Sequence, residues 1–398
     1  MKLILSIGLI GLAGLIFAGA LSNTPWLKTW ISDRSQRQLK QEQAQQELIK
    51  TQKQTLRLQT LDTRQCVECD LSGLNLKDAN LRSAYLWKTN LSGADLRDAY
   101  LESADLRGAK LTQADLGYAL LRLANLGYAN LVQAQLRHTD FTQAKLWQAN
   151  LKEVQAANAR LQGADLRGAS LQQANFSATN LQQADLRDAQ LVETILTQAN
   201  LQRAKLQQAN LEKAQLRGAN FQGADLQRAN LGDAQASQAK FNGANLEQAI
   251  LWVTHLEKAQ FKQANLRGAK LGYAKLMEAN LSGADLTDAV LEGSNLENAN
   301  LEAADLSGVK LERGTLTGSY LKGANLREAN LQGADLRGAY LAGANLRSAY
   351  LQGANLRGAN LKGARLKGTN LRDADLTGAI LPNGKVVSVE DVETEGDE

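Results

Sequence analysis

Hydrophobic residues recur at every fifth position over most of this chain. Between residues 321 and 350, LKGAN LREAN LQGAD LRGAY LAGAN LRSAY, Leu leads each group of five and Ala takes the fourth place. The same register runs from Leu71 to Leu381 without an inserted or deleted residue. A period of five matches neither the 3.6-residue period of an α-helix nor the alternation of a strand. Some other backbone geometry must therefore point every fifth side chain in the same direction, towards the core.

The period predicts a square coil in which each group of five forms one side. The leading Leu points to the axis, and the Ala two places before it is small enough to point inward beside it. Gly recurs two places after the leader, as at Gly93 and Gly323, where a type II turn needs a positive φ. The outward positions are mostly polar. Four sides make a coil of about twenty residues, and coils stack about 4.8 Å apart.

These residues resemble the pentapeptide-repeat family, whose motif is A-(D/N)-L-X-X, from roughly Cys66 to Leu381. The resemblance implies an all-β solenoid, a right-handed quadrilateral β-helix. About sixteen coils would give a rod on the order of 75 Å long. It also implies an absence of catalysis, since similar family members with an N-terminal hydrophobic segment generally lack an assigned activity.

Residues 1–22 form the first segment, and within it residues 3–21 are uncharged. Nineteen helical residues would span about 28 Å, close to a hydrocarbon core of about 30 Å. We interpret the segment as a transmembrane anchor, which predicts a single-pass membrane localisation. The alternative is a signal with Lys2 at its start and a cleavage site at Ala18-Gly19-Ala20, which would export the protein to a periplasm or lumen.

Residues 23–65 are predicted to be a polar helical tether, so that α-helical segments precede the β-helix. Thr24-Pro25 is typical of a helix start, and Gln, Lys, Glu and Leu dominate the rest of this segment. The apolar positions keep no heptad, which argues against a coiled coil. The β-helix itself is assigned to residues 66–381. Residues 382–398 are predicted to form a C-terminal cap and an acidic tail.

Cys66 and Cys69 are the only cysteines and are spaced C-x-x-C. Cys66 takes a leading position and Cys69 the small position before Leu71, so both fit the inward pattern of the first coil. Structural capping of the N-terminal end is one interpretation. A disulfide or thiol-redox role is a second, and half of a metal site is a third, although a single C-x-x-C without further ligands is a poor zinc site.

Some departures from the repeat have structural consequences. Ala replaces the leading Leu at residues 156 and 236, where we expect soft layers, because burying a Leu contributes about 1.5–3 kcal/mol. Residues twenty apart share a column, which places Trp87 with Trp147 and Tyr320 with Tyr340. Arg327, Arg347 and Lys367 form a basic column, with Arg337 and Arg357 on the opposite side. These columns are either an interaction ridge or ordinary solvated side chains.

Charge and motifs limit the function. The chain has 45 basic and 41 acidic residues, a mixed surface that favours solubility over a polyanionic partner. We expect no nucleic acid, no small-molecule substrate, no cofactor, no metal and no catalytic residues. His138 and His255 fall at outward positions without a second His nearby.

We therefore predict a non-enzymatic, membrane-tethered scaffold or protein-interaction rod, attached through residues 3–21 and binding an unknown protein. One alternative is a DNA-mimicking topoisomerase modulator, which the resemblance implies for family members with an acidic face. The other is a thiol-redox role at Cys66 and Cys69.

Overall fold

The computed structural model describes the chain from residue 25 to residue 388, with side chains from residue 29 onward. The chain divides into two compact units, with the boundary between Leu58 and Gln59. Its one described helix, α1, runs from Pro25 to Thr63 over 39 residues. This confirms the predicted N-terminal helix.

Helix α1 is polar on all sides. The large apolar side chains Trp30, Ile31 and Leu48 are at least half exposed, at 54%, 50% and 58%. Arg37 and Asp33 form an ion pair one turn apart at 2.7 Å. From residue 29 to residue 52 every side chain of α1 is exposed, whereas Thr60 near its end is buried. The role of this segment as a tether stays a prediction.

The predicted membrane localisation is wrong. From residue 25 to residue 388, no helix is both long and apolar enough to cross a bilayer. The apolar stretch 3–21, on which the anchor and the exported alternative were both based, lies outside the described residues. The predicted acidic tail likewise lies outside them from residue 389 onward.

The repeat folds into the predicted right-handed quadrilateral β-helix. Its strands are single-residue parallel bridges that join positions twenty residues apart, beginning with Gln65 and Tyr85 and ending with Asn360 and Ile380. Every fifth residue between these limits takes part, so one coil comprises four sides. After the turn at residues 382–384, Val386 pairs antiparallel with Ile380.

Each side ends in the predicted turn. The amide of the Ala in the fourth place donates to the carbonyl of the leading residue, as from Ala94 to Leu91 at 3.1 Å. The residue before that Ala has a positive φ, +65° at Gly93, which distinguishes a type II turn from a type I turn. Side-chain-bearing residues adopt the same angle, and even the β-branched Val253 has φ +57°. The closed coil imposes this conformation although it costs such a residue energy.

The core consists of leading residues and the small residues beside them, nearly all fully buried. Phe221, Phe241 and Phe261 occupy one column and stack, with ring centroids 4.9 Å apart in each pair. Where Thr replaces the small Ala, its hydroxyl donates to a leading carbonyl of the preceding coil, as from Thr139 to Leu116 at 2.8 Å. The buried hydroxyl is thereby satisfied.

Ala156 and Ala236, where we expected soft layers, are both fully buried. Phe176 takes the position of Ala156 one coil further along the axis, since residues 155 and 175 form a bridge. Phe241 leads the side that follows Ala236 in the chain. Large residues thus lie close to both small ones, and local softness stays a prediction.

Candidate interaction surface

The β-helix presents four outward sides, and one of them is dominated by amide groups. We call it the amide side: positions 80, 82 and 83 and every twentieth residue after each, around the leaders Leu81, Leu101 and their successors. The opposite side comprises positions 70, 72 and 73 and every twentieth residue after each. These columns follow from the bridges between residues twenty apart.

Between residues 142 and 300, Gln and Asn fill most outward positions of the amide side. Gln202 donates to Gln222 in the next coil at 3.4 Å. The backbone N–H of Lys262 donates to the side-chain Oδ1 of Asn242 at 3.0 Å. Such side chains offer both donors and acceptors, so this surface can bind a partner that has both.

The amide side also holds the positive excess of the β-helix. It carries eight basic residues and three acidic ones, whereas on each of the other sides the two signs nearly balance. The basic residues are Arg82, Arg122, Arg160, Arg203, Lys240, Lys262, Lys322 and Lys362. No acidic residue of this side lies between residues 142 and 300.

All three carboxylates of the amide side are already paired. Glu102 lies 3.2 Å from Arg82 and Glu302 lies 3.5 Å from Lys322. Asp140 accepts from Nε of Arg122 at 2.7 Å. Within residues 29–388, the remaining five cations form no ion pair, and their charge is available to a partner. They are Arg160, Arg203, Lys240, Lys262 and Lys362.

Asp140 is the one buried carboxylate among the described residues, with only 2% of its surface exposed. It accepts from the Thr142 hydroxyl at 2.5 Å and from the Thr142 amide at 2.9 Å, besides Arg122. Burial alone would raise the pKa of Asp140, but these hydrogen bonds outweigh burial and hold the pKa below its usual range. This group is therefore structural and ionised.

Two shallow concavities lie in succession along the amide side. The first is lined by Arg122, Asp140, Gln143, Arg160 and Gln162 among others. The second is lined by Gln182, Gln202, Arg203, Gln222 and Gly223, with further residues of the next coil. Gly223 and Gly243 lie at turn positions in the second concavity, where the absence of a side chain keeps its floor low. Together the two concavities form an elongated, open and electropositive surface.

The carboxylates at the edge of the neighbouring side are also engaged. In the repeated sequence Asp-Leu-Arg, the Arg guanidinium folds back and donates two hydrogen bonds to the Asp carboxylate, which makes a bidentate ion pair. Asp165 and Arg167 are joined this way at 2.8 and 2.7 Å, and Asp185 and Arg187 at 2.8 and 2.6 Å. Planar bidentate pairs are stronger than simple surface pairs, so these carboxylates compete weakly for the cations of the amide side.

The two cysteines lie in the first coil. Cys66 is buried, Cys69 is partly exposed, and the two form a disulfide with their Cα atoms 5.6 Å apart. The bond joins the first and fourth residues of the first turn. In the described residues no group of three or more His, Cys, Asp or Glu is placed to hold a metal ion. The capping role and the redox role stay predictions.

The predicted aromatic columns do not form as stacks of their own members. Trp147 packs edge-on against Tyr128, with centroids 4.4 Å apart, and its indole lies over Gly127. Trp87 instead lies under the ammonium of Lys88 at 4.1 Å. A Gly lies twenty residues from an aromatic residue at Gly127 and Trp147, and again at Gly272 and Trp252. This pairing in the sequence indicates where a ring can lie against the neighbouring coil, and the prediction from column spacing did not consider it.

The predicted basic columns are neutralised only in part. Arg337 is bonded to Asp335 at 2.6 Å, and Arg357 lies 3.4 Å from Asp375. Arg327 pairs with Glu328 at 2.8 Å. Arg347 and Lys367 form no ion pair within residues 29–388, so the column of Arg327, Arg347 and Lys367 stays an interaction candidate beside the amide side.

Both histidines lie on the surface, as predicted. His138 stacks on Tyr118 with ring centroids 4.8 Å apart. His255 lies 3.3 Å from Glu257 and 3.4 Å from the ammonium of Lys275.

Comparison with known families decides the identity of this repeat. The family model described as Pentapeptide repeats (8 copies) matches the chain in overlapping segments from residue 65 to residue 383. The chain belongs to the pentapeptide-repeat family. No curated protein matches it.

Several solved structures of pentapeptide-repeat proteins are similar to the chain. HetL from Nostoc sp. strain PCC 7120, described as involved in heterocyst differentiation regulation, is 34% identical; the match covers 61% of this chain and 92% of HetL, with a TM-score of 0.37. A protein of the Arabidopsis thaliana thylakoid lumen is 33% identical over 25% of this chain and 65% of its own, with a TM-score of 0.22. QnrB1, a plasmid-mediated fluoroquinolone resistance protein, is 20% identical over 49% and 84%, with a TM-score of 0.35.

Proposed function

We propose that this pentapeptide-repeat protein is a non-catalytic scaffold that binds a protein partner along one side of its β-helix. The observation that supports it is the unbroken stack: every turn from Glu68 to Gly378 has the same positive φ, and no loop interrupts the register. Specific contacts must then come from the flat sides, not from loops. Elongated surfaces of stacked repeats suit extended protein partners.

Photo-crosslinking from each side tests this proposal. Gln173, Gln183, Gln198 and Gln208 are exposed residues at the same turn position, one on each side. Each is replaced in turn by a photoreactive phenylalanine derivative in the full chain, expressed in its natural host. We expect a discrete protein adduct from at least one position. If none of the four positions yields an adduct above the unirradiated control, the scaffold proposal is wrong.

A further inference from the structure

We propose that the amide side binds an extended, acidic segment of a partner polypeptide. This rests on the proposed function and names the side and the partner's chemistry. The primary observation is that Arg160, Arg203, Lys240 and Lys262 form a row along one side without a single carboxylate of that side among them. Complementary charge aligns two surfaces and suppresses wrong partners.

The spacing of these cations favours an elongated partner. Arg160, Arg203 and Lys240 succeed one another at intervals of about two coils, and Lys262 lies about one coil further along. The bridges place residues twenty apart in adjacent coils, so the intervals are about 10 Å and about 5 Å. An extended polypeptide advances about 3.3 Å per residue. Acidic side chains separated by about three residues would therefore match the longer interval.

The amide groups distinguish a polypeptide from other anions. Gln182, Gln202 and Gln222 stand in one column across three consecutive coils. Each carries a donor and an acceptor, and an extended peptide backbone likewise presents N–H and C=O groups, whereas a phosphodiester backbone offers acceptors only. Between residues 142 and 300 this side has no aromatic residue at an outward position, and single-stranded nucleic acids are usually held by aromatic stacking.

Two charge-matched variants of the full chain test the assignment. The amide-side variant combines Arg160→Gln, Arg203→Gln, Lys240→Gln and Lys262→Gln. The control removes the same charge from the opposite side through Lys152→Gln, Lys213→Gln, Lys270→Gln and Lys310→Gln. All eight residues are exposed. The melting curve of each variant verifies that it folds.

The probe is fluorescent poly-L-glutamate at low salt, with heparin and oligothymidylate as probes of other anion classes. We expect the amide-side variant to bind poly-L-glutamate at least about tenfold more weakly, and the control to stay within about twofold of the wild type. A third variant, Gln182→Ala with Gln202→Ala and Gln222→Ala, keeps the charge and is expected to lose about threefold or more.

Three results would overturn the inference. The first is the absence of poly-L-glutamate binding by the wild type, and the second is an equal loss in the two charge variants. The third is tighter binding of heparin or oligothymidylate than of poly-L-glutamate. The crosslinking experiment separates this inference from the proposed function. An adduct from Gln173, Gln198 or Gln208 but not from Gln183 would support the scaffold proposal and exclude the amide side as the binding surface.

Discussion

The indole of Trp147 lies directly against Gly127 of the preceding coil. A methyl group on residue 127 would come 2.6 Å from Cε2 of the indole, closer than carbon atoms approach without displacement. Gly127 is not in the positive-φ region, so its role is to make room for the ring. The surface of the β-helix is therefore packed in places, although every residue on it faces outward.

This contact predicts the effect of Gly127→Ala. We expect the substitution to lower the free energy of unfolding by about 1–2 kcal/mol, because the added methyl group must displace the indole of Trp147. In a Trp147→Ala background the same substitution should be neutral or stabilising. Thermal unfolding of the four proteins in this cycle measures the coupling. Equal effects in both backgrounds would show that the ring is not the cause.

The stack of three phenylalanines predicts that Phe241 contributes more to the free energy of unfolding than a buried Phe outside the stack. Phe241 contacts Phe221 on one side and Phe261 on the other, and each aromatic pair contributes about 0.5–1.5 kcal/mol beyond burial. Phe241→Leu should therefore destabilise the protein by about 1–3 kcal/mol more than Phe141→Leu. Phe141 is the matched control, because it is equally buried in the same column. Equal changes in the unfolding midpoint would contradict the stack.

Asp140 should make stability depend on acid pH. Its pKa is lowered in the folded protein, so the unfolded chain takes up this proton first, at its ordinary pKa of about 3.9. The stabilisation is then complete at neutral pH and declines as the pH falls below about 4, towards the lowered pKa of the folded state.

Asp140→Asn removes this titration. The difference in melting temperature between the wild type and the variant should be largest near pH 7 and shrink as the pH falls below about 4. A difference that is constant over this range would show that ionisation of Asp140 does not contribute.

Whole coils should be removable where single residues are not. Deleting Leu321–Tyr340 joins Tyr320 to Leu341 and keeps the register, since Tyr320 and Tyr340 hold equivalent places in consecutive coils. Deleting Gly323 alone shifts one side and breaks its turn. We expect the melting temperature to fall far more for the single deletion. A larger fall for the twenty-residue deletion would contradict the register as the folding rule.

The full chain should not inhibit DNA supercoiling by gyrase. A DNA mimic must present phosphate-like negative charge, and no side of this β-helix has a marked acidic excess, while the amide side is positive. Gyrase assays with and without a quinolone measure this. Inhibition at submicromolar concentration would restore the topoisomerase alternative.

The sequence by itself determined the coil, because a five-residue period assigns every residue an inward or outward position without reference to distant contacts. The repeat alone places Leu321 in the core, Ala324 beside it and Gly323 in the turn. It also defined the columns of twenty, and so contained the charge asymmetry of the amide side, which the whole-chain balance of 45 to 41 concealed.

Only the tertiary structure decided which outward side chains contact one another. Column position fixes where Cα atoms lie, but Arg122 reaches Asp140 eighteen residues on, and Trp147 turns to Tyr128 and not to Trp87. Long side chains have several rotamers, and the choice depends on the space that neighbours such as Gly127 leave. That choice determines which charges are neutralised and which, like Arg203, remain available to a partner.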